Sequence, residues 1–200
     1  EKPDEKISRL AAIIMRREEL RLLEIKNKKD MLARAGEVFA VFNETYQNLY
    51  GYIPLNDRQI AGYTRQYFDF LKPEFVPVVV NREGKIVAFG IAMPSLTRTM
   101  QKVGGSLYPF GFIHLLRALK KNDSADLYLI AVVPEYQGKG VNAILIDHIT
   151  RVFNRMGIRK VESNPELETN HRVQAQWKHF ETRQHKRRRC YIKHLDLTSA

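Results

Sequence analysis

The sequence predicts an α/β domain in which helices flank a central sheet. An apolar strand over 127–133 leads through a polar turn with two glycines into a helix from about Val141. The apolar residues of that helix recur about every 3.6 positions, which is the period of an amphipathic helix. Two further strands, over 76–81 and 85–93, are joined by a hairpin signal. The 200 residues suffice for one domain with a buried core.

The composition indicates the environment that suits this chain and the partners that it could bind. The chain has 33 basic and 22 acidic residues, a net charge of +11, and a dense basic run at 185–189. Such a charge attracts polyanions in general, so nucleic acid is a possible partner although no motif supports it. No apolar run reaches the roughly 18 residues that would cross a bilayer, and no membrane partner is expected. Cys190 is the single cysteine, which suits a reducing cytoplasm.

Residues 1–18 are predicted to be an N-terminal helix or linker, and 19–200 a domain with a helical insertion at 94–125. The remaining elements are assigned from periodicity and from Gly, Pro and capping residues. Helices are predicted over 3–17, 31–50, 56–70, 96–103, 110–121, 141–156 and 170–180. Strands are predicted over 20–25, 76–81, 85–93, 127–133, 159–163 and 189–197.

Two helical faces are expected to point inward. Leu10, Ile13 and Ile14 form the apolar stripe of the first helix. Tyr63 and Tyr67 lie at helical spacing in the helix over 56–70, and such aromatics are more often core residues than parts of a ligand pocket. Cys190 is expected to be buried in the last strand.

The insertion allows two interpretations. Its loop and second helix carry a group of aromatic and imidazole side chains, which are Tyr108, Phe110, Phe112 and His114. They either help to form a substrate pocket, or belong to a surface helix pair that closes one end of the sheet. An insertion of this length is expected to be functional or ordered by packing.

The glycine turn between strand and helix is a candidate anion site. Backbone N–H groups at a helix start are unpaired and carry partial positive charge. Gly138 and Gly140 allow a phosphate to approach the backbone closely. With Ala143, they also fit the Rossmann pattern, and Glu162 lies about twenty residues further on. Too few residues remain after this turn for a Rossmann domain of several βα units.

The longer string around the turn resembles the GNAT N-acetyltransferases. Tyr-Gln-Gly-Lys-Gly at 136–140 follows Val-x-Pro and is similar to that family's acetyl-CoA motif, Q/R-x-x-G-x-G/A. The resemblance spans roughly 20–197. It implies an acyl-CoA N-acyltransferase fold with a mixed, mostly antiparallel sheet. It also implies direct transfer of acetyl from acetyl-CoA, or of another acyl group, to a small-molecule or peptide amine. The chain further resembles the C-terminal half of longer uncharacterised bacterial proteins.

The resemblance also implies which residues hold the cofactor. Backbone groups on the motif strand would bind the pantetheine arm and the oxyanion, and amides of the turn would bind the pyrophosphate. Lys139 or Arg172 would meet the ribose phosphate as point charges. The predicted cofactor residues are Ile130, Ala131, Val132, Gln137, Gly138, Lys139, Gly140, Val141, Asn142 and Asn170.

Catalytic groups are predicted at three positions. Asp126 lies before the motif strand, where the family often places its general base, and Glu162 on the neighbouring strand is a comparable candidate. The family's general acid is a Tyr seven residues after an Asn. Asn170 matches that Asn, but the Tyr position holds Trp177, whose indole cannot give up a proton. Tyr191, His179 or water would then protonate the leaving thiolate.

Two other functions stay open at this stage. The chain could be a binding module that keeps the fold and binds CoA or nucleic acid, or an aminoacyl transferase that uses charged tRNA. A metal site is not predicted, because the six histidines form neither H-E-x-x-H nor a Cys/His set.

Overall fold

The computed structural model describes residues 5–193, with the exception of the His179 side chain. The chain forms two compact units that divide after Glu162. The first unit contains the sheet and most of the helices, and the second begins at Ser163. A domain boundary at residue 18 stays a prediction.

Eight helices and five strands are present in the described residues. The helices are α1 (Glu5–Arg17), α2 (Lys28–Ala33), α3 (Ala35–Tyr46), α4 (Asp57–Tyr67), α5 (Thr97–Lys102), α6 (Gly111–Lys120), α7 (Asn142–Met156) and α8 (His171–Ala175). The strands are β1 (Arg21–Leu22), β2 (Val78–Val80), β3 (Ile86–Pro94), β4 (Ser124–Val132) and β5 (Lys160–Ser163).

The five strands form one sheet in the order β1-β2-β3-β4-β5. The pairs β1/β2, β2/β3 and β3/β4 are antiparallel. The sheet is buried on both faces at its centre, because all three residues of β2 and most of β3 have almost no solvent exposure. Helices from both sides cover it, which explains the continuous apolar runs in these strands. The predicted mixed, mostly antiparallel α/β fold is confirmed.

Helix α1 packs into the core of the first unit. Ala11 and Ile14 are buried in the same apolar cluster as the sheet residues. Leu10 and Ile13, which were expected on the buried face, are 47% and 55% exposed. Polar contacts fix the outer side of the helix against α7, where the Ser8 hydroxyl donates to the Asp147 carboxylate over 2.6 Å. The buried face of α1 is therefore rotated from the one predicted.

Helix α4 begins as predicted, with a capping box formed by Asn56 and Gln59. Its aromatic face is not in the core, however. Tyr63 and Tyr67 are 41% and 45% exposed, and their rings stack on one another with centroids 6.1 Å apart. The prediction of inward-facing aromatics was wrong, since no residue of α4 is buried. The single helix predicted over 31–50 is divided into α2 and α3 by a turn at Arg34, whose φ and ψ angles are −102° and 0°.

The insertion has the predicted helices, whereas the described part of the chain end lacks the predicted strand. The insertion forms the expected helix pair, α5 and α6, and its aromatic side chains Tyr108, Phe110 and Phe112 are exposed. Cys190 is exposed rather than buried, and residues 189–193 form no strand. The rest of the strand predicted over 189–197 lies outside the described residues.

Candidate acyl-CoA site

The turn between β4 and α7 has a backbone conformation that favours glycine at two positions. Gly138 and Gly140 have φ angles of +78° and +82°, in the left-handed region that side-chain-bearing residues rarely adopt. A Cβ at Gly138 would enter open space. The backbone of the turn is thus exposed at this point, and nothing there prevents a ligand from approaching its amides.

Several amides of this turn lack a backbone partner among the described residues. The Gln137 and Lys139 amides are used within the turn, where they donate to Pro134 O and Tyr136 O over 3.2 and 3.4 Å. The other amides donate to no backbone carbonyl of a described residue, and they belong to Gly138, Gly140, Val141 and Asn142. Helix α7 carries no acidic residue in its first turn. The positive end of its dipole is therefore not neutralised locally.

A β-bulge interrupts β4 before it reaches the turn. Ile91 pairs with Leu129 but Ala92 pairs with Leu127, so Tyr128 is an extra residue on β4. The neighbouring strand β5 begins beside Asp123, whose carbonyl accepts bonds from two β5-side amides, and it is only four residues long. At about 3.3 Å per residue, it cannot extend to the far end of β4. No strand within the described residues pairs with that far end, which is called the open edge below.

Strand register shows which backbone groups line this open edge. Val133 N donates to Val87 O over 2.9 Å, and Ala131 pairs with Phe89. Because hydrogen-bonded pairs alternate in an antiparallel ladder, Ala131 directs its backbone groups to β3. Ile130 and Val132 direct theirs to the open edge. Of the three strand residues predicted to bind the cofactor, these two have the suitable orientation.

Side chains already occupy both carbonyls of this edge. The Tyr46 hydroxyl donates to Ile130 O over 3.0 Å, and Gln137 Nε2 donates to Val132 O over 2.9 Å. Burial raises the pKa of Tyr46 above its usual value, so this phenol is a neutral donor at physiological pH. A ligand strand would therefore find N–H groups, rather than carbonyls, at this edge.

The candidate general bases lie on the two neighbouring strands. Asp126 is half-buried on β4 and pairs with Met93 of β3, and Glu162 is half-buried on β5. Tyr128, the bulge residue, is 39% exposed. Burial raises the pKa of Tyr128, and the Asp126 carboxylate and Tyr67 raise it further. The roles of Asp126 and Glu162 as bases stay predictions.

The second unit carries the other predicted residues. Asn170 caps α8 by accepting a bond from the Val173 amide over 3.4 Å. The Trp177 indole donates to the Glu166 carboxylate over 2.7 Å, so the residue at the family's Tyr position has a polar partner of its own. Tyr191 is 85% exposed. Cofactor binding by Asn170 and proton donation by Tyr191 stay predictions.

The described residues contain neither a side-chain cluster suited to a metal ion nor a helix suited to spanning a membrane. No group of three or more His, Cys, Asp or Glu side chains is arranged to hold a metal ion in residues 5–193. None of the helices in this part of the chain is long and apolar enough to span a bilayer.

Comparison with known proteins decides the family. The profile of the Acetyltransferase (GNAT) family matches residues 37–180, which is well over half of the chain. The chain belongs to this family. The match includes β4, the glycine turn and α7, so the motif that suggested the family lies within the matched region. The Rossmann alternative is excluded by the antiparallel sheet.

Individual relatives add detail to this assignment. Protein YghO of Escherichia coli K12 is 27% identical over 161 residues, which cover 78% of this chain and 41% of that protein. The chain thus spans less than half the length of this curated relative. Two solved structures share the fold. An aminoglycoside acetyltransferase from an uncultured soil metagenomic sample, in complex with sisomicin, has a TM-score of 0.54 at 15% identity and covers 90% of this chain and 99% of its own. The enzyme AAC(6')-Iy, in complex with a CoA bisubstrate analogue, has a TM-score of 0.52 at 16% identity and covers 88% and 99%.

These comparisons confirm the predicted family. The GNAT family uses acyl-CoA, and the glycine turn of this chain fits that group because its amides are accessible and its first helical turn lacks acidic residues. Sequence reasoning missed Tyr46 and the residues of α1 that contact the turn. A tyrosine on an apolar helix face gives no signal of where its hydroxyl points, and α1 contacts the turn only through tertiary packing.

Proposed function

We propose that this chain transfers an acetyl group from acetyl-CoA to an amine by direct attack of that amine. The observation that carries the proposal is the turn at 137–142. Two left-handed glycines, accessible amides and the unneutralised start of α7 together suit a diphosphate. The proposal has two specific parts. The transferred group is acetyl rather than a longer acyl chain, and the acceptor is an amine.

The cofactor would be held by two parts of the first unit. The amides of Gly138, Gly140, Val141 and Asn142 would bind the diphosphate. The open edge of β4 at Ile130 and Val132 would bind the pantetheine arm as an additional strand. Tyr46 and Gln137 support this edge, because they satisfy its carbonyls and leave the N–H groups to the ligand.

The bound acyl-CoA supplies an acyl group activated as a thioester and a thiolate as leaving group. The chain's own task is to position the acceptor amine and to manage protons. Asp126 or Glu162 would accept the proton that the acceptor ammonium must lose, directly or through water. An amide of the open β4 edge would donate to the developing oxyanion. Because Trp177 donates to Glu166, Tyr191 or water is proposed to return a proton to the sulfur.

The cofactor part is tested by matched glycine substitutions and calorimetry. Gly138 and Gly84 have nearly equal φ angles of +78° and +80°, and a Cβ at either would enter open space. Gly138→Ala and Gly84→Ala should therefore lose similar stability, about 1–2 kcal/mol each, from left-handed strain. Only Gly138→Ala should weaken CoA binding, by about tenfold or more, since its methyl group would occupy the space before the amides.

The proposal fails if the wild-type protein shows neither binding heat nor a rise in Tm with CoA or acetyl-CoA. It also fails if the two variants bind CoA equally well. A series of longer acyl-CoAs in the same thermal-shift assay would identify the acyl length, because ligands that bind the folded state stabilise it by mass action. Asp126→Asn and Glu162→Gln should then show which carboxylate is the general base. Substitution of the true base should lower kcat and leave the KM for acyl-CoA unchanged.

A further inference from the structure

The C-terminal end of α1 contacts the diphosphate turn through both apolar and polar groups. These residues, 14–18, are called the α1 end below. They lie outside the region of 37–180 that matches the family profile.

The apolar contact joins Ile14 to Gly140. Ile14 is only 2% exposed, and an added Cβ at Gly140 would lie 2.7 Å from Ile14 Cδ1. Real Cβ atoms do not approach a methyl carbon this closely. A glycine is therefore required at 140 for two reasons, the left-handed φ and the isoleucine packed beneath it. The second reason depends on α1.

The polar contacts form a closed network around Lys139. The Glu18 carboxylate accepts a bond from Arg17 Nε over 2.7 Å and pairs with Lys139 Nζ at 3.3 Å. Arg17 Nη2 donates to the main-chain carbonyl of Lys139 over 3.2 Å. The hydrogen bond from Arg17 lowers the pKa of Glu18, and Lys139 lowers it as well, so the carboxylate is ionised at neutral pH. Both the side chain and the main chain of Lys139 are thus held by α1.

These contacts favour a role for Lys139 other than the predicted one at the ribose phosphate. Its ammonium lies between Glu18 and the Tyr136 ring, 4.9 Å from the ring centroid. A lysine that served as a phosphate ligand would not need a carboxylate at 3.3 Å. A lysine that anchors the turn does need a carboxylate partner, because its side chain must itself be held in place in order to hold the backbone.

We propose that the α1 end is part of the acyl-CoA site and that Arg17 and Glu18 are positioning residues of the diphosphate turn. They hold Lys139 so that the turn presents its amides in a fixed arrangement. This inference rests on the proposed function, since it assumes that the turn binds the diphosphate of CoA. It extends the cofactor site beyond the family-matched region.

The test compares two adjacent glutamates. Glu18→Gln removes the carboxylate that holds Lys139. Glu19→Gln makes the same change in net charge one residue away, where the partner is Arg82 at 3.7 Å rather than the turn. CoA affinity is measured by calorimetry for the full chain. Amide NMR shifts of Gly138 and Gly140 are measured in the free protein, which reports on the turn without any ligand.

The direction of the effect distinguishes positioning from simple electrostatics. Removing a carboxylate near a phosphate site and releasing an ammonium would by itself tighten CoA binding. Positioning predicts the opposite: Glu18→Gln should weaken CoA binding and raise the KM for acyl-CoA by about fivefold, with kcat unchanged. The glycine amide shifts should change in Glu18→Gln and stay in place in Glu19→Gln.

Equal or tighter CoA binding by Glu18→Gln overturns the inference, because Lys139 would then be a restrained phosphate ligand or irrelevant. Unchanged glycine shifts in the free variant overturn it as well. If the wild type does not bind CoA, the proposed function itself is lost, whereas the NMR comparison still reports whether α1 holds the turn. Should Glu18→Gln fail to fold, Arg17→Gln removes the main-chain bond to Lys139 and carries the same expectations.

Discussion

The contact between Ile14 and Gly140 gives a prediction that needs no ligand. Gly140→Ala places a methyl group 2.7 Å from Ile14 Cδ1 and 3.7 Å from Ile14 Cγ1, at a φ of +82°. The left-handed backbone costs about 1–2 kcal/mol, and overpacking adds about 1–3 kcal/mol. Ile14→Val removes Cδ1, the atom at the shorter distance, and costs about 0.5–1.5 kcal/mol by itself. In the double variant the overpacking should largely disappear.

The two single variants and the double variant form a thermodynamic cycle that is measured by urea denaturation. The double variant should lose about 1 kcal/mol less than the sum of the single variants, since the residues share one contact. Gly157 supplies the control, because its φ is +71° and a Cβ there would touch nothing within 4 Å. The cycle of Ile14→Val with Gly157→Ala should be additive. Additivity at Gly140 too would refute the packing of α1 beneath the turn.

Two further predictions concern buried polar contacts. Tyr46→Phe leaves Ile130 O without its donor and should lower the free energy of unfolding by about 1–2 kcal/mol in urea denaturation, whereas Tyr50→Phe, at a residue 82% exposed, should not change it. His148 donates from Nε2 to Glu74 O, and burial lowers its pKa from the usual 6.5. The unfolded chain therefore binds this proton first, so stability is present above about pH 6.5 and is lost as pH falls toward the lower folded pKa. The loss in stability from about pH 7 to about pH 5 should be smaller in His148→Gln, and an equal loss would contradict this reasoning.

The parts of the fold that could be predicted from the sequence are those determined by local chemistry. The glycines at 138 and 140 predicted a turn whose backbone a phosphate can approach closely, and both adopt the positive φ that glycine tolerates best. The hairpin between β2 and β3 and the capping box at Asn56 were predicted for the same kind of reason. In each case the residues that specify the structure lie within a few positions of one another.

The wrong predictions concern which face of a helix is buried against other parts of the chain. The period of α1 showed that one face is apolar, but not that Ala11 and Ile14 would be buried while Leu10 and Ile13 are exposed. The choice between these faces is made by α7 and the glycine turn, which are more than a hundred residues away in the chain. Helix α4 shows the same limit, since its aromatic spacing predicts an apolar surface without saying whether anything covers it.

The same distinction explains why the glycine turn is easier to predict from the sequence than the proton-transfer groups are. A diphosphate is bound by backbone amides, and the backbone conformation is visible in the positions of two glycines. A general acid is a single side chain that must arrive from another segment. At the position where the family has that acid, this chain has Trp177, and its indole donates to Glu166 instead. An indole bound in this way can hold a carboxylate in place but cannot protonate a thiolate, so Trp177 cannot replace that tyrosine, and the group that returns the proton stays a prediction.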